Sequence, residues 1–308
     1  MDGSTHVPVL LREAINALAI KPDGIYIDAT LGGGGHSEAI LDRLTTGRLI
    51  AFDQDVYAIE KAQERLRNHA NITFINANFA DLAERLTDCG ITAVDGILYD
   101  LGVSSFQFDT PERGFSYQHD APLDMRMDQS ATFSAYDIVN DWSADEIADI
   151  LFRYGEESFG RQIARAIVKA RNPEPIRTTF ELVAVIKSAL PAKVLAKKGH
   201  PAKQTFQALR IAVNDELGAF ARSLEQAVDL IHPGGRIVVI TFHSLEDRIA
   251  KTFFRDRSTI VIPKGLAIIP TERPLLRLIN NHVVIPSESE LLANNRAKSA
   301  KLRAVEKN

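Results

Sequence analysis

The fold turns on Gly24-Ile25-Tyr26-Ile27-Asp28-Ala29, followed almost at once by Leu31-Gly32-Gly33-Gly34-Gly35-His36. A short apolar run, rich in isoleucine and closing on an acid, reads as a buried strand. The glycines then make a turn, and a helix is expected over about 37–44. Glycines between a strand and a helix let the backbone approach a ligand closely, and the first helical turn offers unpaired N–H groups. Spacing excludes two familiar versions of this turn. The dinucleotide fingerprint needs a third glycine at Ser37 or Glu38, and no G-x-x-x-x-G-K-[ST] phosphate loop is present.

Outward from that turn, strand and helix patterns alternate. Arg48-Leu49-Ile50-Ala51-Phe52-Asp53 reads as a second strand with a helix through Arg67. Ile72-Thr73-Phe74-Ile75-Asn76 reads as a third and Val94-Asp95-Gly96-Ile97-Leu98-Tyr99-Asp100 as a fourth, with a helix around 80–86 between them. Strands separated by helices imply a parallel sheet, whose ligands bind beyond the carboxyl ends of the strands. Asp53 ends the second strand and is placed to accept hydrogen bonds from ribose hydroxyls, which points to an adenosine-like ligand. Phe79, just past the third strand, is either an aromatic lying against adenine or a core residue. Asp100 ends the fourth strand and can face the reacting group.

The alternation then stops. Residues 101–141 are rich in Gly, Pro, Asp and Ser with isolated aromatics, the composition of an ordered functional loop. Ser143-Ala144-Asp145-Glu146 is a capping box opening a helix through Tyr154, and Thr178-Thr179-Phe180-Glu181 opens another through Leu190. Between them Arg161, Arg165 and Lys169 share one helix face. One long helix is expected over about 202–231, a fifth strand over 236–242, and a further helix capped from Ser244-Leu245-Glu246-Asp247. Residues 259–262, 282–285 and 301–306 could add late strands. The expected fold is α/β, with 1–107 and 214–308 forming a discontinuous core around a helical insert at 108–213.

The chain has 308 residues, 45% hydrophobic and 25% charged, which fits a folded globular protein and excludes collagen-like, disordered and disulfide-framework classes. Its single cysteine, Cys89, cannot pair within the chain or build a thiolate metal cluster, so no metal is expected. Apolar runs are only strand-sized and the N-terminus lacks a signal-like region, so a cytoplasmic protein without a membrane span is expected. The net charge of −4 hides an uneven distribution. Residues 161–210 carry a net +9 and residues 291–308 a net +4, leaving the remainder strongly acidic. Such polarity can present a cationic face to phosphates, or it can simply mark solvated helix faces.

Several segments together carry a resemblance. They are His6-Val7-Pro8-Val9-Leu10-Leu11, the loop from Asp28 to His36, Asp100-Leu101-Gly102-Val103-Ser104-Ser105 and Arg113-Gly114-Phe115-Ser116-Tyr117. Pro122-Leu123-Asp124-Met125-Arg126-Met127-Asp128, Thr205-Phe206-Gln207-Ala208-Leu209-Arg210-Ile211, Phe242-His243-Ser244-Leu245-Glu246-Asp247-Arg248 and Asn295-Arg296-Ala297-Lys298-Ser299-Ala300-Lys301-Leu302-Arg303 complete them. Nearly end to end, the chain resembles the RsmH (MraW) family of S-adenosylmethionine-dependent methyltransferases, with small departures such as Lys203-Gln204 where Thr-Arg is frequent. The resemblance implies a class I methyltransferase core, a Rossmann-like doubly wound sheet, with a helical insert after the fourth strand. It implies methylation of the exocyclic N4 of a cytosine, position 1402, in the decoding region of 16S rRNA within the 30S subunit, with S-adenosyl-L-methionine as cofactor. A homodimer is left open.

Residue by residue, the resemblance implies that Gly34, Gly35 and His36 wrap the cofactor and that Asp53 binds its ribose. Phe79 would contact the adenine, and Asp100 and Gln107 would close over the methionine end. Asp100 is the expected catalytic residue, because its carboxylate can accept hydrogen bonds from a cytosine amino group whose lone pair is delocalised. The usual aromatic platform of DNA amino-methyltransferases is missing from Asp100-Leu101-Gly102-Val103. Phe106, Phe108, Phe115, Tyr117 and Trp142 are therefore candidates to stack on the base, and His243 is a candidate to line the pocket. Arg161, Arg165, Lys169, Lys197, Lys198, Arg296, Lys298 and Arg303 are expected on an RNA face, with the insert as the RNA-recognition domain. Competing readings are a methyltransferase for DNA or another RNA base, a nicotinamide-dependent oxidoreductase, which the glycine spacing disfavours, and a non-catalytic RNA-binding or assembly factor. The set of Asp28, Asp53 and Asp100 argues against the last.

Overall fold

A computed structural model of the chain describes residues 8–260, 273–280 and 282–308. The elements before residue 101 are α1 (Leu11–Leu18), β1 (Ile25–Asp28), α2 (Gly35–Leu41), β2 (Arg48–Asp53), α3 (Val56–Leu66), β3 (Ile72–Asn76), α4 (Leu82–Asp88) and β4 (Val94–Asp100). Then come α5 (Ser105–Asp109), α6 (Ala135–Asp141), α7 (Ala144–Arg153), α8 (Gly160–Arg171), α9 (Thr179–Ala189), α10 (Ala192–Leu195) and α11 (Lys203–Asn214). The chain finishes with α12 (Glu216–Leu230), β5 (Ile231–Thr241), α13 (Ser244–Arg257), β6 (Leu276–Leu278), α14 (Glu288–Ala293) and β7 (Lys301–Lys307).

The chain divides into two compact units, one of Met1–Gly102 with Leu217–Asn308 and one of Val103–Glu216. The cuts fall at 102/103 and 216/217 rather than at 107/108 and 213/214, and contacts within the second unit explain the difference. Val103 packs on that unit's apolar core. Asn214 donates to the Met125 carbonyl and accepts from the Met127 N–H, and Arg210 pairs with Glu216.

In the first unit, seven strands lie in the order β3-β2-β1-β4-β5-β7-β6. The pairs β3/β2, β2/β1, β1/β4 and β4/β5 are parallel, while β7 runs antiparallel to both β5 and β6. This is the expected class I methyltransferase fold. Its sheet is buried on both sides because successive strand residues feed opposite cores. Ile27, Ile97, Tyr99, Ile237 and Val239 enter one core with Leu82, Leu86, Phe220, Leu224 and Phe254. Tyr26, Leu98, Val238 and Ile240 enter the other with residues of α1, α2 and α3. Strand order reverses between β1 and β4, which opens a crevice at their carboxyl ends.

Several expectations change. The long helix over 202–231 is two helices, because Asp215 adopts φ 46°, ψ 37° and ends α11. The fifth strand begins at Ile231, paired with Val94 across a register shift, so the Pro-Gly-Gly segment lies inside β5. Residues 101–141 contain α5 and α6 as well as loop. Of the late strands, 301–306 is realised within β7, 282–285 contributes a single bridge from Val284 to Leu302, and 259–262 extends outside the described residues. The second unit is helical around its own core, with α7 on α8, α8 on α9 and α11 on α7. Capping boxes at Ser143 and Thr178 start α7 and α9, as their sequences predict. Among the described residues no helix is long and apolar enough to cross a membrane.

Candidate active site

The site is built at the carboxyl ends of β1, β2 and β4. Asp28 closes β1, fully buried, and organises the turn after it. Its Oδ1 accepts the Thr30 N–H at 3.1 Å and its Oδ2 the Ser37 hydroxyl at 2.7 Å. Burial pushes its carboxyl pKa up against those two donors. Asp28 is therefore a buried structural brace, tying strand end to helix start.

Within the turn, Gly34 has φ +74° as the residue before α2, a conformation that L side chains rarely adopt. A Cβ there would also lie 3.2 Å from Leu66 Cδ1 and 3.3 Å from Ala62 Cβ on α3. At Gly35 a Cβ would collide with Pro8, so this glycine admits the segment leading into α1. Both glycines thus have packing reasons beside the cofactor-wrapping role expected of them.

Asp53, half-buried at the end of β2, closes the loop from the other side. Its Oδ2 accepts the Gly32 N–H and its Oδ1 the Asp55 N–H, both at 2.9 Å. Each carboxylate oxygen accepts more than one hydrogen bond, so capacity remains for a diol. Burial pushes this carboxyl up to about 6. Phe79 starts a short 3-10 turn held by the Asn78 cap, and its ring meets Tyr99 edge-on at 5.8 Å while packing against the first core. The ring is partly exposed, so it serves the core and still presents surface.

Asp100 is fixed at both ends. Its N–H donates to Thr30 Oγ1 at 2.6 Å, and its Oδ2 lies 3.3 Å from His36 Nδ1. Its Oδ1 is buried and has no hydrogen-bond partner among the described residues. A buried acceptor without a donor in the protein is one that a ligand or a water can satisfy. His36, 4% exposed, also places Nε2 3.1 Å from the Val9 carbonyl oxygen. Its backbone lies directly after the glycines, where a ligand contact is expected, and its side chain joins the segment before α1 to Asp100. Thr30 is a site residue that sequence reasoning misses, although its spacing of two from Asp28 is that of an Asx turn and offers a signal.

Other predicted residues land elsewhere. Gln107 lies in the second unit, 4% exposed, where its side chain accepts the Ser104 N–H in the capping box of α5. His243, rather than Ser244, is the N-cap of α13, with Glu246 as its capping-box partner. Arg161, Arg165 and Lys169 on α8, and Lys197 and Lys198 after α10, are exposed, as are Arg296 and Lys298. Arg303 differs, since its Nε donates to Asp247 Oδ1 at 2.8 Å while Lys301 holds the other oxygen at 3.1 Å. Burial works against the charge on Asp247, but Arg303 and Lys301 outweigh it and keep the carboxyl below its ordinary range. Among the candidate stacking aromatics, Phe115 is buried, Tyr117 stacks on His200 at 4.2 Å and Trp142 on Phe133 at 5.9 Å, while Phe108 is exposed.

This arrangement offers a glycine turn, an acid for a diol, an aromatic, and an unpaired carboxylate oxygen. Comparison with known proteins names the family: the profile of the MraW methylase family matches residues 3–308. The chain belongs to the MraW methylase family. Its methyl donor is accordingly S-adenosylmethionine. Among solved structures, the chain is similar to an rRNA methylase from Streptococcus thermophilus, at 11% identity and TM-score 0.44, covering 99% of both chains. It is also similar to a candidate methyltransferase from Streptococcus mutans in complex with SAH (11% identity, TM-score 0.46, 98% of this chain and 100% of that one). A candidate rRNA methylase from Clostridium thermocellum gives 12% identity and TM-score 0.46 over 99% and 100%. The family match, and not these likenesses, decides the assignment.

Proposed function

We propose that this MraW methylase transfers a methyl group from S-adenosylmethionine to the exocyclic N4 of a cytosine in 16S rRNA, position 1402 in the decoding region. The observation that carries the reading is the buried, unpaired Oδ1 of Asp100 at the carboxyl end of β4, beside the glycine turn and Asp53. The residues fit the cofactor. Asp53 keeps acceptor capacity for the ribose hydroxyls, Phe79 presents an aromatic face for adenine, and Gly34, Gly35 and His36 form the turn that would wrap the ligand. When bound, S-adenosylmethionine supplies a methyl group already activated on a sulfonium, so the protein's work is orientation.

Asp100 Oδ1 accepts a hydrogen bond from the amino group of the base. That contact draws the nitrogen lone pair out of conjugation, holds the nucleophile in line and provides an acceptor for its proton. A base within folded RNA must be unstacked to reach such a crevice, and phosphates around it must be held. Arg161, Arg165, Lys169, Lys197, Lys198, Arg296 and Lys298 supply exposed cations for them, and the helical unit serves as the RNA-recognition domain. The same chemistry would suit a DNA base, but the two basic stretches and the missing aromatic platform after Asp100 favour RNA.

The test is transfer of labelled methyl from S-adenosylmethionine to 30S subunits lacking the modification, with the product nucleoside identified by mass spectrometry. N4-methylated cytidine at a single position is expected. Another methylated nucleoside, or incorporation only into DNA, would overturn the reading.

A further inference from the structure

His36 faces two groups that can only accept hydrogen bonds. Nε2 points at the Val9 carbonyl oxygen, 3.1 Å away, and Nδ1 at Asp100 Oδ2, 3.3 Å away. A neutral imidazole has one N–H and one lone pair, so either tautomer would set a lone pair against an oxygen. One further proton resolves the clash. Shared between an imidazole and a carboxyl, that proton resides on the more basic imidazole, and the buried carboxylate of Asp28 nearby reinforces the preference.

We propose that His36 is held as an imidazolium whose task is to position Asp100, pinning Oδ2 so that Oδ1 stays unshared and aimed at the group to be methylated. The inference rests on the functional reading above for that last clause only; the protonation state stands on geometry. Thr30 fixes the Asp100 backbone and His36 fixes its side chain, so the carboxylate is located from both ends. His36 is a positioning residue, acting through Asp100. The ionisable groups facing it are Asp100 from β4 and Asp28 from β1, both acidic, while the segment before α1 contributes the Val9 carbonyl. Burial opposes the charged ring, the two carboxylates outweigh it, and the pKa is raised from the ordinary histidine value. As pH rises through that value the one remaining N–H stays on Nδ1 toward the charged Oδ2, the Nε2 lone pair comes to oppose the Val9 carbonyl, the positive charge that steadies Asp100 is lost, and methyl transfer falls.

The experiment is a pH titration of the full-length protein, without cofactor, labelled with nitrogen-15 in its histidine rings. His36 is assigned among the eight histidines by the signal that disappears in His36→Gln. The expected spectrum at pH 7 shows both ring nitrogens of His36 protonated, with a pKa that is lower in Asp100→Asn than in wild type. A second arm measures methyl transfer to 30S subunits against pH. Wild type should lose rate on the alkaline side at the His36 pKa, while His36→Gln, which keeps an N–H for Asp100 but cannot titrate, should be slower and lack that limb. A neutral His36 tautomer at pH 7, or a pKa indifferent to Asp100→Asn, overturns the proposal. An imidazolium in a protein that methylates no RNA would instead overturn the functional reading and leave the ion pair standing.

Discussion

Replacing Asp53 by Asn should make the empty protein more stable and the cofactor complex weaker. In the folded chain the Asp53 carboxyl is pushed to about 6 from an ordinary 3.8. A carboxyl whose folded pKa lies above its unfolded one binds more protons when folded. Its contribution is therefore favourable below the unfolded value and is lost as pH rises through the folded one. The rise from 3.8 to about 6 corresponds to about 3 kcal/mol of destabilisation at pH 7.5, falling to about 1.5 kcal/mol at pH 5. Asparagine removes that cost but keeps only one acceptor for the Gly32 and Asp55 N–H groups, and one orphaned N–H returns about 1–2 kcal/mol. Asp53→Asn should thus be about 1–2 kcal/mol more stable than wild type at pH 7.5 and no more stable at pH 5. Affinity for S-adenosylhomocysteine should fall roughly 10- to 100-fold, because the ribose hydroxyls no longer meet a charged acceptor. Urea unfolding from pH 5 to 7.5 and calorimetric titration at pH 7.5 read the two effects. A stability difference that does not change with pH would refute the linkage, and unchanged affinity would refute the ribose role.

Gly34→Ala must place a Cβ at φ +74° and 3.2 Å from Leu66, so a loss of about 1–2 kcal/mol in thermal unfolding is expected, with weaker S-adenosylhomocysteine binding. Alanine at Arg161, Arg165 and Lys169 should leave cofactor affinity intact while lowering the salt dependence of RNA binding, by up to about 0.9 in log–log slope for each phosphate that is no longer neutralised. Arg303→Ala should act differently, costing about 2 kcal/mol of stability by leaving Asp247 to Lys301 alone, whereas Lys198→Ala should be neutral in unfolding and visible only in RNA binding. His36 contributes to folding fully below its ordinary pKa of about 6.5, and that contribution is lost as pH rises through its raised folded value. Asp100→Asn should flatten this alkaline decline in unfolding experiments.

The sequence alone determined the strands β1 to β4, the glycine turn and the acids at three strand ends, because each is written locally, in alternation, glycine content and caps. The family motifs added the class I core, the insert and the methyl donor. Other features needed the tertiary structure, since they depend on which residues meet across long separations. The helix break falls at Asp215, a residue type that tolerates the left-handed conformation, and what distinguishes this Asn-Asp pair from other polar pairs is that Asn214 reaches Met125 and Met127. Arg303 looked like another cation in a basic tail until β7 brought it against Asp247 on α13. His36 read as a turn residue because its partners, Val9 and Asp100, lie 27 and 64 positions away, and only their convergence at the sheet's carboxyl edge turns a histidine, a carbonyl and a carboxylate into one charged unit.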